Sequence, residues 1–102
     1  MKHLNQTNNY ESMVVFSSEY NESELRNIVY PYIQQLKKLG ALSISVITRG
    51  RRDLAYAIDN HKTGYFIQVY FDSSPNILLS YQTKLNLDKN ILRSLVTNLS
   101  KK

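Results

Sequence analysis

The chain has 102 residues, 42% of them hydrophobic and 21% charged, globular proportions that suit one domain with its own core and leave no room for a second. It has no cysteine, which excludes disulfides, thiolate zinc sites and cysteine nucleophiles, and its longest apolar runs, such as Met13 to Phe16, are four residues, too short for a membrane-spanning helix. Thirteen basic residues against eight acidic give a net charge of +5, an excess with which small domains often meet a polyanion, nucleic acid being the commonest.

Residues 1–9 are polar and aperiodic and read as a tail; they hold Lys2 but no apolar block, so neither a secretory signal nor a transit peptide is expected. Tyr10 to Phe16, β-branched and aromatic without helical spacing, reads as a strand. Asn21 followed by Glu24 is a capping box, and Glu22 and Glu24 suit the positive end of a helix dipole. Leu25, Ile28, Val29, Tyr32, Leu36 and Leu39 then recur at spacings of three and four, one apolar stripe on a helix. Gly40 stands where a left-handed residue ends that helix; Pro31 interrupts it away from the stripe, predicting a kink rather than two helices.

Leu42 to Thr48 alternates with period two, Gly50 marks a bulge or bend among three arginines, and Leu54, Tyr56 and Ile58 resume the alternation. Asn60 to Gly64 reads as a turn. In the next strand Tyr65, Ile67, Val69 and Phe71 form a core face, while Phe66, Gln68 and Tyr70 face the other way. Pro75 opens a second helix to about Leu85, carrying Ile77, Leu78, Tyr81 and Leu85. Asn90 to Val96 reads as a last strand, and residues 98–102 as a short basic tail. The order strand, helix, strand, strand, helix, strand predicts an α+β domain over 10–97. It is the ferredoxin-like split βαβ: a four-stranded antiparallel sheet with both helices on one face and the other face bare. Val14, Leu36, Val46, Val69 and Val96 are the expected core between sheet and helices.

Little points to catalysis. His3 falls in the tail and His61 in a turn beside Lys62, where a solvated residue is the plain reading. Glu19, Glu22 and Glu24 are accounted for by the helix start, and the three glycines form no phosphate-binding loop. No cofactor, metal or small-molecule substrate is expected. The arginines differ. Arg49, Arg51 and Arg52 sit inside a long bent strand, where rigid backbone presents forked donors that match phosphate oxygens.

Gly50-Arg51-Arg52-Asp53-Leu54-Ala55-Tyr56-Ala57-Ile58 resembles the signature of the bacterial-type small-subunit ribosomal protein six family, with Leu four places after the glycine and then Ala-Tyr, any residue and Ile. Tyr10-Glu11 opening the first strand, Gly64-Tyr65-Phe66 opening the third, and Asn90 to Val96 with its Arg93 are similar to further landmarks of that family. The likeness runs from about Tyr10 to Val96. Asp59 departs from the small or basic residue usual after the signature Ile, and the long charged C-terminal extension of some members does not follow Val96.

The resemblance implies a non-catalytic protein of translation. It implies binding to the central domain of small-subunit rRNA and pairing with small-subunit ribosomal protein eighteen. Arg49, Arg51, Arg52 and Arg93, with Tyr56 of the signature, are the candidate rRNA-binding residues; Phe66 and Tyr70, on the bare sheet face, are the candidate partner-binding residues. The alternatives are an RRM-like single-stranded RNA-binding module, whose basic lead-in and second glycine the third strand lacks, and another ferredoxin-like regulatory domain. Ten asparagines, eight tyrosines and eight lysines against five arginines resemble the usage of AT-rich genomes. A ribosome of the plastid (chloroplast) stroma is therefore the favoured location and the bacterial cytoplasm the alternative.

Overall fold

The computed structural model describes residues 7–58 and 60–100. Six elements follow in the expected order: β1 (Asn8–Ser17), α1 (Glu22–Leu39), β2 (Leu42–Ile58), β3 (His61–Ser73), α2 (Pro75–Leu87) and β4 (Ile91–Asn98). All neighbouring strands are antiparallel, in the order β2-β3-β1-β4, so β1 and β3 are central and β2 and β4 are edges. This is the ferredoxin-like split βαβ arrangement.

Local rules set both ends of α1. The Asn21 side chain accepts from the Glu24 amide at 2.8 Å, and the Glu24 carboxylate accepts from the Asn21 amide at 2.9 Å. Such a cap stabilises by about 1 kcal/mol. At the other end Gly40 takes φ 102°, its amide donates to Lys37 and that of Ala41 donates to Leu36, closing a Schellman motif. Pro31 is exposed and leaves α1 one helix. Leu39, expected on the buried stripe, is instead exposed, because Ala41 beyond the left-handed turn takes the buried place.

The core lies between the helices and one face of the sheet. Leu25, Val29, Tyr32 and Leu36 of α1 and Tyr81 and Leu85 of α2 pack on Tyr10, Val14, Phe16, Tyr65, Ile67, Val69 and Phe71. Tyr81 meets Phe71 and Tyr32 edge to face, with ring centroids 5.3 and 6.1 Å apart. Its hydroxyl is satisfied by Ser12 at 2.9 Å. Burial pushes the Tyr81 hydroxyl up to about 12, although the Ser12 bond pulls the other way. Burial, and then the bond it donates to Asp88, also raise Tyr32.

Several boundaries differ from the sequence reading. The turn expected over Asn60 to Gly64 is mostly strand: β3 begins at His61, and the reversal falls at Asn60, with φ 68°. Asn8, Asn9 and residues 98–100, expected as tails, are not loose. Asn9 accepts from the Leu99 amide at 2.7 Å and its amide donates to Ser100 Oγ at 2.8 Å, which ties the two ends of the chain together. The rest of the expected tails, residues 1–6 with His3 and residues 101–102, lies outside the described residues, as does Asp59. Val46 pairs with the buried Val69 yet is 44% exposed, because β2 is an edge strand that α1 does not cover. Val96 is half-buried against the core.

Candidate nucleic-acid interface

Cross-strand register lays out the helix-free face row by row. Ser45, Tyr70, Glu11 and Thr97 form one row; Ile47, Gln68, Met13 and Leu95 the next; Gly50, Phe66, Val15 and Arg93 the third. Arg52 stands opposite Gly64 beyond them.

The bulge at Gly50 decides which arginines share this face. With strict period-two alternation, Arg49 and Arg51 would face one way and Arg52 the other. The register instead shifts between Thr48 and Gly50, where Gly50 takes φ 86°, a value that suits glycine. After the shift Gly50 and Arg52 lie on the open face, and Arg51, opposite the buried Tyr65, turns to the helix side. There its guanidinium donates to the Tyr20 carbonyl at 3.3 Å, near the start of α1. Tyr65 donates to Glu22 at 3.2 Å, and its hydroxyl is held above its ordinary value by burial first and Glu22 second.

Arg49 stays on the open face, where its Nε donates to the amide oxygen of Gln68, whose own NH₂ donates to Glu11 at 2.7 Å. Arg93, opposite Val15, donates to the Tyr56 hydroxyl at 2.9 Å, and its guanidinium lies 5.4 Å from the centre of the Tyr56 ring. The contact joins residues 37 positions apart and shows that the end of the β2–β3 hairpin leans over the open face. Gly64 permits that lean: a Cβ there would come within 2.5 Å of Val15 and 3.4 Å of Leu54.

The structure therefore brings Arg49, Arg52, Arg93 and Tyr56 onto the face that carries Phe66 and Tyr70, and leaves Arg51 on the opposite one. The four arginines and Tyr56 are exposed; Phe66 and Tyr70 are half-buried. Among the described residues the one ion pair is Arg26 with Glu22 on α1, so no carboxylate of the described residues pairs with the open-face arginines. Also among the described residues, no cluster of His, Cys, Asp and Glu could hold a metal ion, and His61 is half-buried in β3.

The sequence reading missed two features. Glu11 and Gln68 are part of the open-face network; a lone amide between Phe66 and Tyr70 was the available signal. The second is an apolar groove of about 370 Å³ between α1 and β2, lined by Leu25, Val29, Tyr30, Ile33, Val46 and Ile67. It is the space that leaves Val46 exposed.

A family model described as Ribosomal protein S6 matches residues 9–98. The chain is 43% identical over 95 residues to the small ribosomal subunit protein bS6c of Trieres chinensis, covering 93% of this chain and 99% of that protein. It is 29% identical over 93 residues to bS6 of Picosynechococcus sp., covering 91% of this chain and 81% of that protein. Among solved structures it resembles in fold the 30S ribosomal protein S6 from Thermotoga maritima, with a TM-score of 0.83 at 22% identity, over 91% of this chain and 88% of that one.

Proposed function

The chain belongs to the ribosomal protein S6 family, structural and non-enzymatic proteins of the small ribosomal subunit, and from that premise we propose that it binds the central domain of small-subunit rRNA through the helix-free face of its sheet, with small-subunit ribosomal protein eighteen as its protein partner. The observation that carries the reading is the gathering of Arg49, Arg52 and Arg93 on one rigid face, with no ion pair to an acid among the described residues. Folded RNA offers phosphates and 2′-hydroxyls in preference to deep-groove base edges, and forked guanidiniums fit those phosphates. Tyr56 orients Arg93, and the ring face away from that guanidinium suits stacking by an unstacked base. Arg51, expected to join them, binds rRNA only as a peripheral contact from the helix side.

Phe66 and Tyr70 supply the protein contact. Half-exposed aromatics on a face without helices mark an interaction site, and aromatics near the centre of an interface often dominate its energy. The ribosome is that of a plastid, a reading supported by the bS6c relatives in Trieres chinensis and Phaeodactylum tricornutum; bS6 relatives in bacteria keep a bacterial ribosome as the second reading. Binding of the protein, together with protein eighteen, to a central-domain rRNA transcript across salt concentrations tests the proposal. Each phosphate-bound arginine lost lowers the salt slope by somewhat under one unit, roughly 0.7–0.9.

A further inference from the structure

We infer that Glu11 and Gln68 form a positioning relay that holds Arg49 ready for one RNA phosphate; the inference rests on the rRNA reading above and adds two residues to it. Gln68 is 7% exposed, a polar side chain nearly closed off between the half-buried Phe66 and Tyr70. A buried amide needs partners on both its ends. Its NH₂ group donates to Glu11 Oε2 at 2.7 Å, and this fixes which way the amide points: the carbonyl oxygen is turned to Arg49 and accepts from its Nε. Were the amide reversed, NH₂ would face the guanidinium and both contacts would be lost.

The consequence lies in what Arg49 has left. A guanidinium carries five donors, and the one bonded to Gln68 is on Nε. The outer Nη pair faces away from that bond, and two parallel N–H groups match the oxygens of a phosphodiester. An arginine otherwise loses rotamer freedom when it binds, at a cost in affinity. Here the relay imposes much of that order beforehand. Glu11 acts from the far end, through Gln68, and keeps its carboxylate one residue removed from the incoming phosphate. Arg93 is held in a parallel way by Tyr56, so two of the three arginines of the face, Arg49 and Arg93, are each set by a neutral partner rather than by an acid.

The test measures affinity of the full chain, with protein eighteen, for a central-domain rRNA transcript. Gln68→Met keeps the side chain's length and removes both bonds; it should weaken binding about three- to tenfold, the scale of one lost hydrogen bond. In an Arg49→Gln background the same change should have no further effect. A second pair of variants reads the relay without touching the buried amide. Glu11→Gln and Glu11→Leu remove the same charge, but only glutamine keeps an acceptor for Gln68. Glu11→Gln should therefore bind about threefold or more tighter than Glu11→Leu. A Gln68→Met effect that is equally large with and without Arg49 would mean a merely structural role and overturn the relay. So would equal affinities for the two Glu11 variants. Those results leave the rRNA reading standing if Arg49→Gln still weakens binding; if Arg49→Gln, Arg52→Gln and Arg93→Gln all bind as wild type, that reading falls and the relay with it.

Discussion

The two faces of the sheet are built from the same four strands and do opposite things. The helix-covered face is closed: Phe16, Phe71, Tyr81, Leu25 and Leu36 are almost completely buried, and its hydroxyls, such as those of Tyr81 and Tyr32, are satisfied internally. The open face carries Arg49 and Arg93, each held at one end by a neutral partner with the other end in water, between half-buried aromatics and the exposed Leu95. Apolar burial supplies stability on one side; on the other, the arginine side chains are ordered while staying exposed. On the function proposed above, stability and recognition are separated by the thickness of a strand, and changes on one face should leave the other's property nearly untouched.

The largest expected effect is on the closed face. Leu36 is fully buried, and Leu36→Ala should lower unfolding free energy by about 2–5 kcal/mol in chemical denaturation. Val46→Ala, on the groove side of β2, should cost well under half of that, since Val46 is already 44% exposed. A loss at Leu36 within about 0.5 kcal/mol, the range of surface substitutions, would break the assignment of this face.

Next in size is the partner contact. Phe66→Ala with Tyr70→Ala should weaken the complex with small-subunit protein eighteen by at least about tenfold, by titration calorimetry, with little change in thermal stability. Wild-type affinity in a folded double variant would move the partner off the open face, and the apolar groove beside Val46 is then the surface to probe.

A smaller effect separates the faces by pH. Tyr81, held up to about 12 by burial, and Tyr32, raised as well, both sit on the closed face. An unfolded tyrosine ionises near about pH 10, so the neutral hydroxyls favour the folded state fully below that value. The stability they contribute is lost as pH rises from about 10 through about 12. Denaturation midpoints measured across that window should fall, and Tyr81→Phe should reduce the fall. A midpoint that stays level to about pH 12 would contradict the closed environment of these rings.

Much of this architecture was legible in the sequence, for reasons that are local. Asn21 with Glu24, Gly40 and Pro75 are local signals, so both ends of α1 and the start of α2 followed from the residue types themselves, whereas the end of α2, expected at about Leu85, falls at Leu87 with no such residue to mark it. The alternation of Tyr65, Ile67, Val69 and Phe71 named one face of β3 correctly for the same reason. What was hidden depends on pairs far apart in the chain. The bulge at Gly50 was visible, but the phase it imposes on Arg51 and Arg52 is set by register against Tyr65 and Gly64. Gln68 meets Glu11 across 57 positions, and Arg93 meets Tyr56 across 37. The extent of β3 back to His61 was lost because polar residues in a projecting hairpin carry no burial signal. Val46 looked like core because period two reports which face a residue is on, and says nothing of whether a helix reaches it.

The claim that the open face is the rRNA interface is tested most directly by the salt dependence of binding to a central-domain rRNA transcript, in two variants compared with wild type. The combined change Arg49→Gln, Arg52→Gln and Arg93→Gln removes three charges from one face, whereas Arg51→Gln removes one from the other. The triple variant should lower the slope of log affinity against log salt by roughly two to three units while Arg51→Gln alters it by less than about half a unit. An unchanged slope in the triple variant, or a loss from Arg51→Gln as large as that from any one open-face arginine, would contradict the claim.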